Sequence, residues 1–315
     1  MSFALKQHET VEHAFHRLAG KQLAKAHAAL ADADDPADAL HDVRKATKRV
    51  RAIARVVRPG IAARRYRQLN ALAREAAAEL SAGRDAQALV VSFDALVAWS
   101  AGGFVGQDAA RAELVRRAEH AAEGLQADPS AVVAAMGTLA AAQRLVAETA
   151  VRGNRRLLHE GLHDVHRAAR RAHRACDGAA DDDDEQWHEW RKRTKYLWHA
   201  VQLVEPASPA MLHPTTKVLH HVADALGDDH DLAVLTGLVH QRPWAFGSEH
   251  GRDGLLTLIA AARADLHRRA WIAGSRLLAE RSDAFADRLV ATWSVWDRDE
   301  EVVVGGLADL AQGRD

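Results

Sequence analysis

Apolar residues recur three and four positions apart along nearly the whole chain, with no sustained alternation of period two. This spacing places apolar side chains on one face of an α-helix, whereas a half-buried strand would need strict alternation. The seven prolines fall where helices could start or stop, at positions 36, 59, 129, 206, 209, 214 and 243. The chain is therefore predicted to be all-α, with helices over 3–31, 36–57, 62–82, 85–100, 107–126, 129–150, 154–176, 184–204, 214–226, 229–241, 251–281 and 283–296.

Two motifs occur twice, in the same order and at nearly the same separation. H-D-V-R-K-A-T-K, which starts at His41, is echoed 147 residues later by H-E-W-R-K-R-T-K, which starts at His188. L-S-A-G-R-D, which starts at Leu80, is echoed 146 residues later by L-G-D-D-H-D, which starts at Leu226. Such internal similarity indicates duplication. We predict one domain over 1–315, a duplicated helical bundle whose halves, 1–150 and 151–300, hold about four to six helices each, followed by a tail at 301–315. Each half should carry a basic helix and then a helix–turn–helix.

Charge is sorted into blocks although the net charge is only −1 with neutral histidines. Residues 41–67 hold ten arginines and lysines against one acid, and residues 152–174 hold seven arginines against two acids. Residues 181–185 are all acidic. The absence of an overall basic excess argues weakly against a nucleic-acid binder. The blocks instead point to local cationic surfaces.

The helix predicted at 36–57 carries one uninterrupted cationic face. Spacings of three and four place five side chains on it: His41, Arg44, Lys48, Arg51 and Arg55. Like charges at these spacings destabilise a helix, so a sequence that repeats them indicates an anionic partner. The alternative, a solvated surface, is less favoured because no carboxylate is interleaved on that face.

A second cationic face is predicted on the helix at 154–176. His159, His163, His166, Arg170 and His173 share it, and the flank carries Arg167, Arg171 and Arg174. Its first residues also match H-E-x-x-H, in which His159 and His163 would hold zinc and Glu160 would act as a base, with a third ligand from Asp183 or Glu185. The crowded arginines would repel a cation, so the histidines suit an anion better.

The helix predicted at 184–204 places His188, Arg191 and Lys195 on one face, with Lys192 adjacent. Its tryptophans are expected to pack in the core rather than stack bases.

In the turn predicted at 226–231, three aspartates flank His230 and resemble a metal or acid–base cluster. Helix capping explains them better, and an architectural Asp85 and Asp231 would account for both repeats.

Other signatures of chemistry and targeting are missing from the sequence. No nucleotide-binding glycine loop and no G-x-S-x-G occurs. The single cysteine, Cys176, cannot form an internal disulfide, which fits a reducing compartment. The N-terminus has no signal-like apolar run, and the longest uncharged stretch, 129–143, is shorter than the ~20 residues of a membrane span. We expect a cytoplasmic protein without enzymatic activity, cofactor, bound metal or membrane segment.

These motifs resemble the CHAD family, the conserved-histidine α-helical domains. The similarity rests on the residues at 41–51, on W-H-E-W-R-K-R-T-K-Y-L-W at 187–198, on L-G-D-D-H-D-L-A-V-L at 226–235 and on G-S-R-L at 274–277. It implies two helical halves that face each other across a central basic cavity. The implied function is binding of inorganic polyphosphate, in some members on polyphosphate granules. Some relatives also carry a triphosphatase domain with an E-x-E-x-K signature, which this chain lacks.

Carried over by position, the implied contacts are His41, Arg44, Lys45, Lys48, Arg49, Arg51, Arg84, His188, Arg191, Lys192, Lys195 and His230. Ser81 departs from the family pattern, which has glycine there. Arg167, Arg170, Arg171 and Arg174 are added from the charge pattern alone. Polyphosphate is the leading ligand; nucleic acid or another polyanion is the alternative, disfavoured by aromatic residues of only 5%. A zinc enzyme and a purely structural scaffold are the remaining hypotheses.

Overall fold

The computed structural model describes residues 3–32, 36–78, 81–100, 102–127, 130–178 and 183–298. Throughout these ranges the regular elements are helical and none is a strand, so the predicted all-α class is confirmed. The α-helices are α1 (Val11–Asp32), α2 (Pro36–Val56), α3 (Ala63–Ala78), α4 (Ser81–Ser100), α5 (Gln107–Ala127), α6 (Ser130–Ala147), α7 (Arg155–Ala175), α8 (Asp184–Val204), α9 (Pro209–Gln241), α10 (Glu249–Leu277) and α11 (Ser282–Trp296). The tail predicted at 301–315 lies outside the described residues.

The first helix begins eight residues later than predicted. Thr10 precedes it, and its Oγ1 accepts a hydrogen bond from the His13 amide at 3.2 Å, which is the geometry of an N-terminal cap. Upstream, the amide of Leu5 donates to the carbonyl of Leu203 at 2.8 Å, and Phe3 and Leu5 are buried. The apolar residues that suggested a helix from residue 3 therefore pack on the end of α8 in an irregular segment.

The two helices predicted at 214–226 and 229–241 are one helix, α9, of 33 residues. The predicted turn at 226–231 is therefore wrong. Gly227 does not break the helix; it lies beside the Arg191 side chain, whose Nη2 would be in ordinary contact with a β-carbon at that position, at 3.5 Å. The carboxylate of Asp229 contacts side chains of α10 rather than capping a helix. In the first repeat, the motif from Ser81 onward likewise lies inside α4.

The helices enclose three apolar clusters. The largest is shared by α1, α2, α3, α6, α7, α8 and α11, and a second by α4, α5, α9 and α10. The third surrounds Trp190, which is fully buried where α7 to α10 meet. Gly161 permits the closest approach of α7 to α2, because a β-carbon there would lie 1.8 Å from the carbonyl oxygen of Val56. These contacts fix α2, α8 and α9 beside one another.

Neighbouring helices pair in the same order in both parts of the chain. α1 packs on α2 and α6, and α2 packs on α3; correspondingly, α7 packs on α8 and α11, and α8 packs on α9. α9 corresponds to α3 and α4 together. Among the described residues, the first part of the chain therefore has six helices, α1 to α6, and the second part has five, α7 to α11. This order is consistent with the predicted duplication, which stays a prediction.

One helix of the described residues, α6, is long and apolar enough to cross a membrane. It packs on α1 and α3 and buries one face, through Ala135, Leu139, Ala142, Leu145 and Val146. Core helices of globular proteins have the same length and composition, so a single such helix is weak support for a membrane span.

Candidate functional site

A cavity of about 330 Å³ lies where α2, α8, α9 and the middle of α4 meet. Its walls are formed by Arg44, Lys48, Arg51, Ala88, Leu89, His188, Arg191, Lys192, Lys195, Tyr196, His199, His230, Asp231 and Val234. Six of these side chains are arginine or lysine. Among the described residues that line the cavity, Asp231 is the only carboxylate. The site therefore concentrates positive charge in a molecule whose net charge is close to zero.

The two copies of the basic motif meet in this cavity. Arg44 and Lys48 of α2 are one helical turn apart, and so are Arg191 and Lys195 of α8, at the equivalent positions 147 residues later. Eight of the predicted ligand contacts line the walls together: Arg44, Lys48, Arg51, His188, Arg191, Lys192, Lys195 and His230.

The remaining predicted residues of α2 do not line the cavity. His41 and Lys45 are exposed on the same helix. Arg49 turns toward α1 and the N-terminal segment, where its guanidinium lies 5.4 Å from the ring centre of Phe3. Arg55 stacks over Tyr196 at 4.1 Å, so it supports a wall of the cavity from behind. The side chain of Arg84 lies outside the described part of the chain.

Two of the four histidines on the predicted cationic face of α7 do not form part of a surface. His166 and His173 are buried, since α10 and α11 pack on that face. The His166 ring stacks on Phe285 at 4.1 Å, and burial, with Arg170 adding to it, lowers its pKa to about 4. Four arginines of this helix are placed outside the cavity walls: Arg167, Arg170, Arg171 and Arg174.

The H-E-x-x-H segment of α7 faces carboxylates rather than a metal site. Nε2 of His159 lies 3.0 Å from Oδ1 of Asp287, and Nε2 of His163 lies 3.4 Å from Oδ1 of Asp283. Glu160 is paired with Arg156 at 2.8 Å. No group of three or more histidine, cysteine, aspartate or glutamate side chains is placed to hold a metal ion within the described ranges.

Burial and like charge both act on the cations of the cavity. Burial lowers the pKa of Lys195 to about 7, and the neighbouring Arg191 and Lys48 add to this effect, while Asp224 and Asp231 oppose it. The pKa of Arg191 is lowered mainly by burial, with Arg44 adding to it. The Arg191 Nε atom is buried and has no hydrogen-bond partner among the described residues. An anion would relieve both the repulsion and the missing hydrogen bond.

Three histidines complete the walls. The Nδ1 atoms of His188 and His230 are 3.3 Å apart. Burial is the main cause that lowers the pKa of both rings, and Arg191 adds to it; the pKa of His230 falls to about 4. His199 is buried, with a pKa also of about 4. Each can gain a proton when negative charge enters.

Two wall residues, Tyr196 and His199, were missed by sequence reasoning. Helical spacing could have found them, because Tyr196 follows Lys192 by four positions and His199 follows Lys195 by four. Both side chains are buried along α8.

A buried ionic contact fixes α9 next to the cavity. Oδ1 of Asp229 accepts a hydrogen bond from Arg263 Nε at 2.7 Å, and Nε2 of His267 lies 2.8 Å from the same oxygen. Arg263 also contacts Asp184 at the start of α8. The anchor thus joins α8, α9 and α10. It sets the rotation of α9 that directs His230 and Asp231 to the cavity.

The sequence profile of the CHAD domain matches residues 14–240. The chain belongs to the CHAD family. The matched part of this CHAD domain contains all the residues that line the cavity. Among curated proteins, no sequence matches the chain significantly.

Proposed function

We propose that this CHAD domain binds inorganic polyphosphate in the cavity between α2, α8 and α9. The observation that carries the proposal is the meeting of six arginine and lysine side chains, three from α2 and three from α8, around one carboxylate. Family membership supports it, since polyphosphate binding is associated with CHAD domains.

The shape of the charged surface suits a linear polyanion. Arg44 to Arg51 extend over roughly 10 Å of α2, and α8 provides a second row on the other wall. Arginine binds phosphate oxygens in bidentate fashion and lysine adds a compact charge. A chain of closely spaced phosphates can therefore contact both rows at once.

The proposed function includes binding without cleavage. Enzymes that transfer or hydrolyse phosphoryl groups commonly use acidic side chains that hold divalent ions. Asp231 alone among the described wall residues is acidic, and the sequence lacks the E-x-E-x-K signature. We further propose that the protein works in the cytoplasm, where polyphosphate granules are its place of action.

Nucleic acid is the weaker candidate for the same cavity. Proteins that bind single strands stack bases on exposed aromatic rings. Trp187 and Trp190 are buried in the core, and Tyr196 is largely buried beneath Arg55. The walls therefore supply cations for a backbone but little surface for bases.

Titration calorimetry with long-chain polyphosphate tests the proposal, beside single-stranded RNA of equal charge. We expect tight binding that RNA does not match. Neutralising six phosphates should give a slope of log affinity against log salt of roughly −4. No binding at low salt would contradict the proposal and favour a scaffold.

A pair of matched double variants locates the site. Arg44→Glu with Arg191→Glu should abolish binding, because it reverses one cation in each row. Arg156→Glu with Arg268→Glu makes the same change in net charge at exposed arginines that do not line the cavity. Equal losses in both would mean that overall charge, rather than the cavity, holds the ligand. Circular dichroism checks that both variants keep their helicity.

A further inference from the structure

Lys195 differs from the other lysines of the cavity in its surroundings. Its side chain is half-buried, and no described carboxylate lies within ion-pair distance of its Nζ atom. Lys192, one turn earlier, pairs with Glu189. The lysine amine thus reaches the cavity without a carboxylate that holds its proton.

The helices around Lys195 together determine the charge that surrounds its amine. α2 presents Arg44, Lys48 and Arg51, and α8 itself presents His188, Arg191, Lys192 and His199. α9 presents His230 and Asp231, with Asp224 farther along, and the described wall of α4 is apolar, with Ala88 and Leu89. Cations therefore outnumber acids around the amine, and the apolar wall reduces its hydration.

The consequence is a reactive amine at neutral pH. Because the pKa of Lys195 is lowered to about 7, a substantial share of its side chains is uncharged at neutral pH. A lysine of ordinary pKa is uncharged in roughly one molecule of a few thousand. Only the uncharged amine is a nucleophile.

We propose that Lys195 is a site of acylation by small acyl phosphates that enter the cavity. The inference rests on the proposed function, because the cations that would bind polyphosphate must first bind the phosphate of the reagent. Arg191 and Lys48 line the same cavity as Lys195, and their positive charges act on its amine. They attract the phosphate and place the acyl carbon within reach.

The reaction balances without a further reactant. The Nζ lone pair attacks the acyl carbon, and the bond from that carbon to the bridging oxygen breaks. Inorganic phosphate leaves with the electron pair, and the nitrogen loses one proton to solvent. The product is a neutral amide. Acylation therefore removes one positive charge from the α8 row and weakens binding of a polyanion.

Acetyl phosphate and the full chain provide the test, with peptide mass spectrometry as the measurement. Lys45 is the internal comparison, because it lies on the basic helix α2 but is exposed and outside the cavity walls. At pH 7 we expect Lys195 to be acetylated at least about tenfold faster than Lys45, since its excess of neutral amine outweighs its lower basicity. The rate at Lys195 should level off above pH 8, once its amine is fully uncharged. Polyphosphate should protect Lys195 only.

Two variants separate charge from reactivity. Lys195→Gln, which resembles the acylated state in charge, should bind polyphosphate at least about tenfold more weakly than Lys195→Arg. Acetylation of Lys195 no faster than Lys45 overturns the inference, and polyphosphate binding by calorimetry would then still stand. Selective acetylation in a protein that does not bind polyphosphate would overturn the proposed function and leave the inference supported.

Discussion

At the scale of single residues, the cavity is defined by cations that suppress each other's protonation. Lys195 shares the cavity with Arg191 and Lys48, and His230 shares it with Arg191. Burial lowers the pKa of Lys195 and of His230, and the neighbouring positive charges lower both further. A polyanion bound among these cations offsets their mutual repulsion and raises their pKa values. Ligand binding and proton binding therefore favour each other.

We therefore expect polyphosphate binding to take up protons near neutral pH. Well below pH 7, Lys195 is charged with or without ligand, so affinity should be constant with respect to this group. As the pH rises through 7, the free protein loses the proton that the complex keeps, and affinity should fall. Calorimetry in two buffers of different ionisation enthalpy measures the uptake. Lys195→Arg should reduce it; unchanged uptake in that variant would contradict the assignment to Lys195.

At the scale of helices, α7 lies unusually close to the end of α2. Gly161 has no side chain where a β-carbon would lie 1.8 Å from the Val56 carbonyl oxygen. The approach fixes the helix that carries Arg44 and Lys48. Backbone atoms cannot move aside as a flexible side chain can.

Gly161→Ala should destabilise the fold by about 1–3 kcal/mol, since extra volume in a tight contact forces the helices apart. Gly137→Ala in α6 is the matched control, because nothing lies within 4 Å of a β-carbon there. In that open helical position alanine should stabilise by about 0.5–1 kcal/mol. Urea unfolding followed by circular dichroism measures both changes. Equal effects would contradict the close approach.

The contact of Asp229 with Arg263 holds α9 in place, as the close approach at Gly161 holds α2. Both side chains are nearly inaccessible. Asp229→Asn should cost about 3 kcal/mol of unfolding free energy, because Arg263 keeps a buried charge without its buried partner. Asp265→Asn removes a carboxylate whose arginine partners are exposed, and should cost less than about 1 kcal/mol. Chemical denaturation compares the two; similar losses would show that the anchor is unimportant.

Local sequence pattern predicted most of the helices and eight of the fourteen wall residues of the cavity. Spacings of three and four identified Arg44, Lys48, Arg191 and Lys195, since periodicity within one helix is a local property. The continuous α9 was missed because the glycine and aspartates at 227–229 resemble a turn. In the structure Gly227 lies beside Arg191 of α8 and Asp229 binds Arg263 of α10, and such contacts between helices are not visible in a local pattern. The buried face of α7 could not be predicted from its own sequence either, because it depends on packing against α11.

At the scale of the whole molecule, buried neutral histidines couple the fold to acid. His166, His199 and His230 each have a pKa of about 4, below their ordinary value of 6.5, and burial is the main cause. Two of them, His199 and His230, line the cavity, whereas His166 packs between α7 and α11.

We expect stability to fall as the pH is lowered from 6.5 toward 4. Above pH 6.5 these rings are neutral in the folded and unfolded chain; below it the unfolded chain binds protons that the folded chain excludes. Thermal unfolding at pH 7.5 and pH 5 measures the loss. His166→Gln should make the decline shallower, since one of the three groups is removed. A melting temperature independent of pH over this range would contradict the burial of neutral histidine.

Arg44 and Arg191 are 147 positions apart in the chain, yet they face one cavity. A polyanion held between them joins distant parts of the sequence, and the unfolded chain offers no equivalent site. Each tenfold rise of free ligand above its dissociation constant then adds about 1.4 kcal/mol to the free energy of unfolding. Under the proposed function, proteolytic turnover of the protein slows when phosphate polymer is abundant. Its cellular abundance would follow the supply of its ligand without a separate regulator.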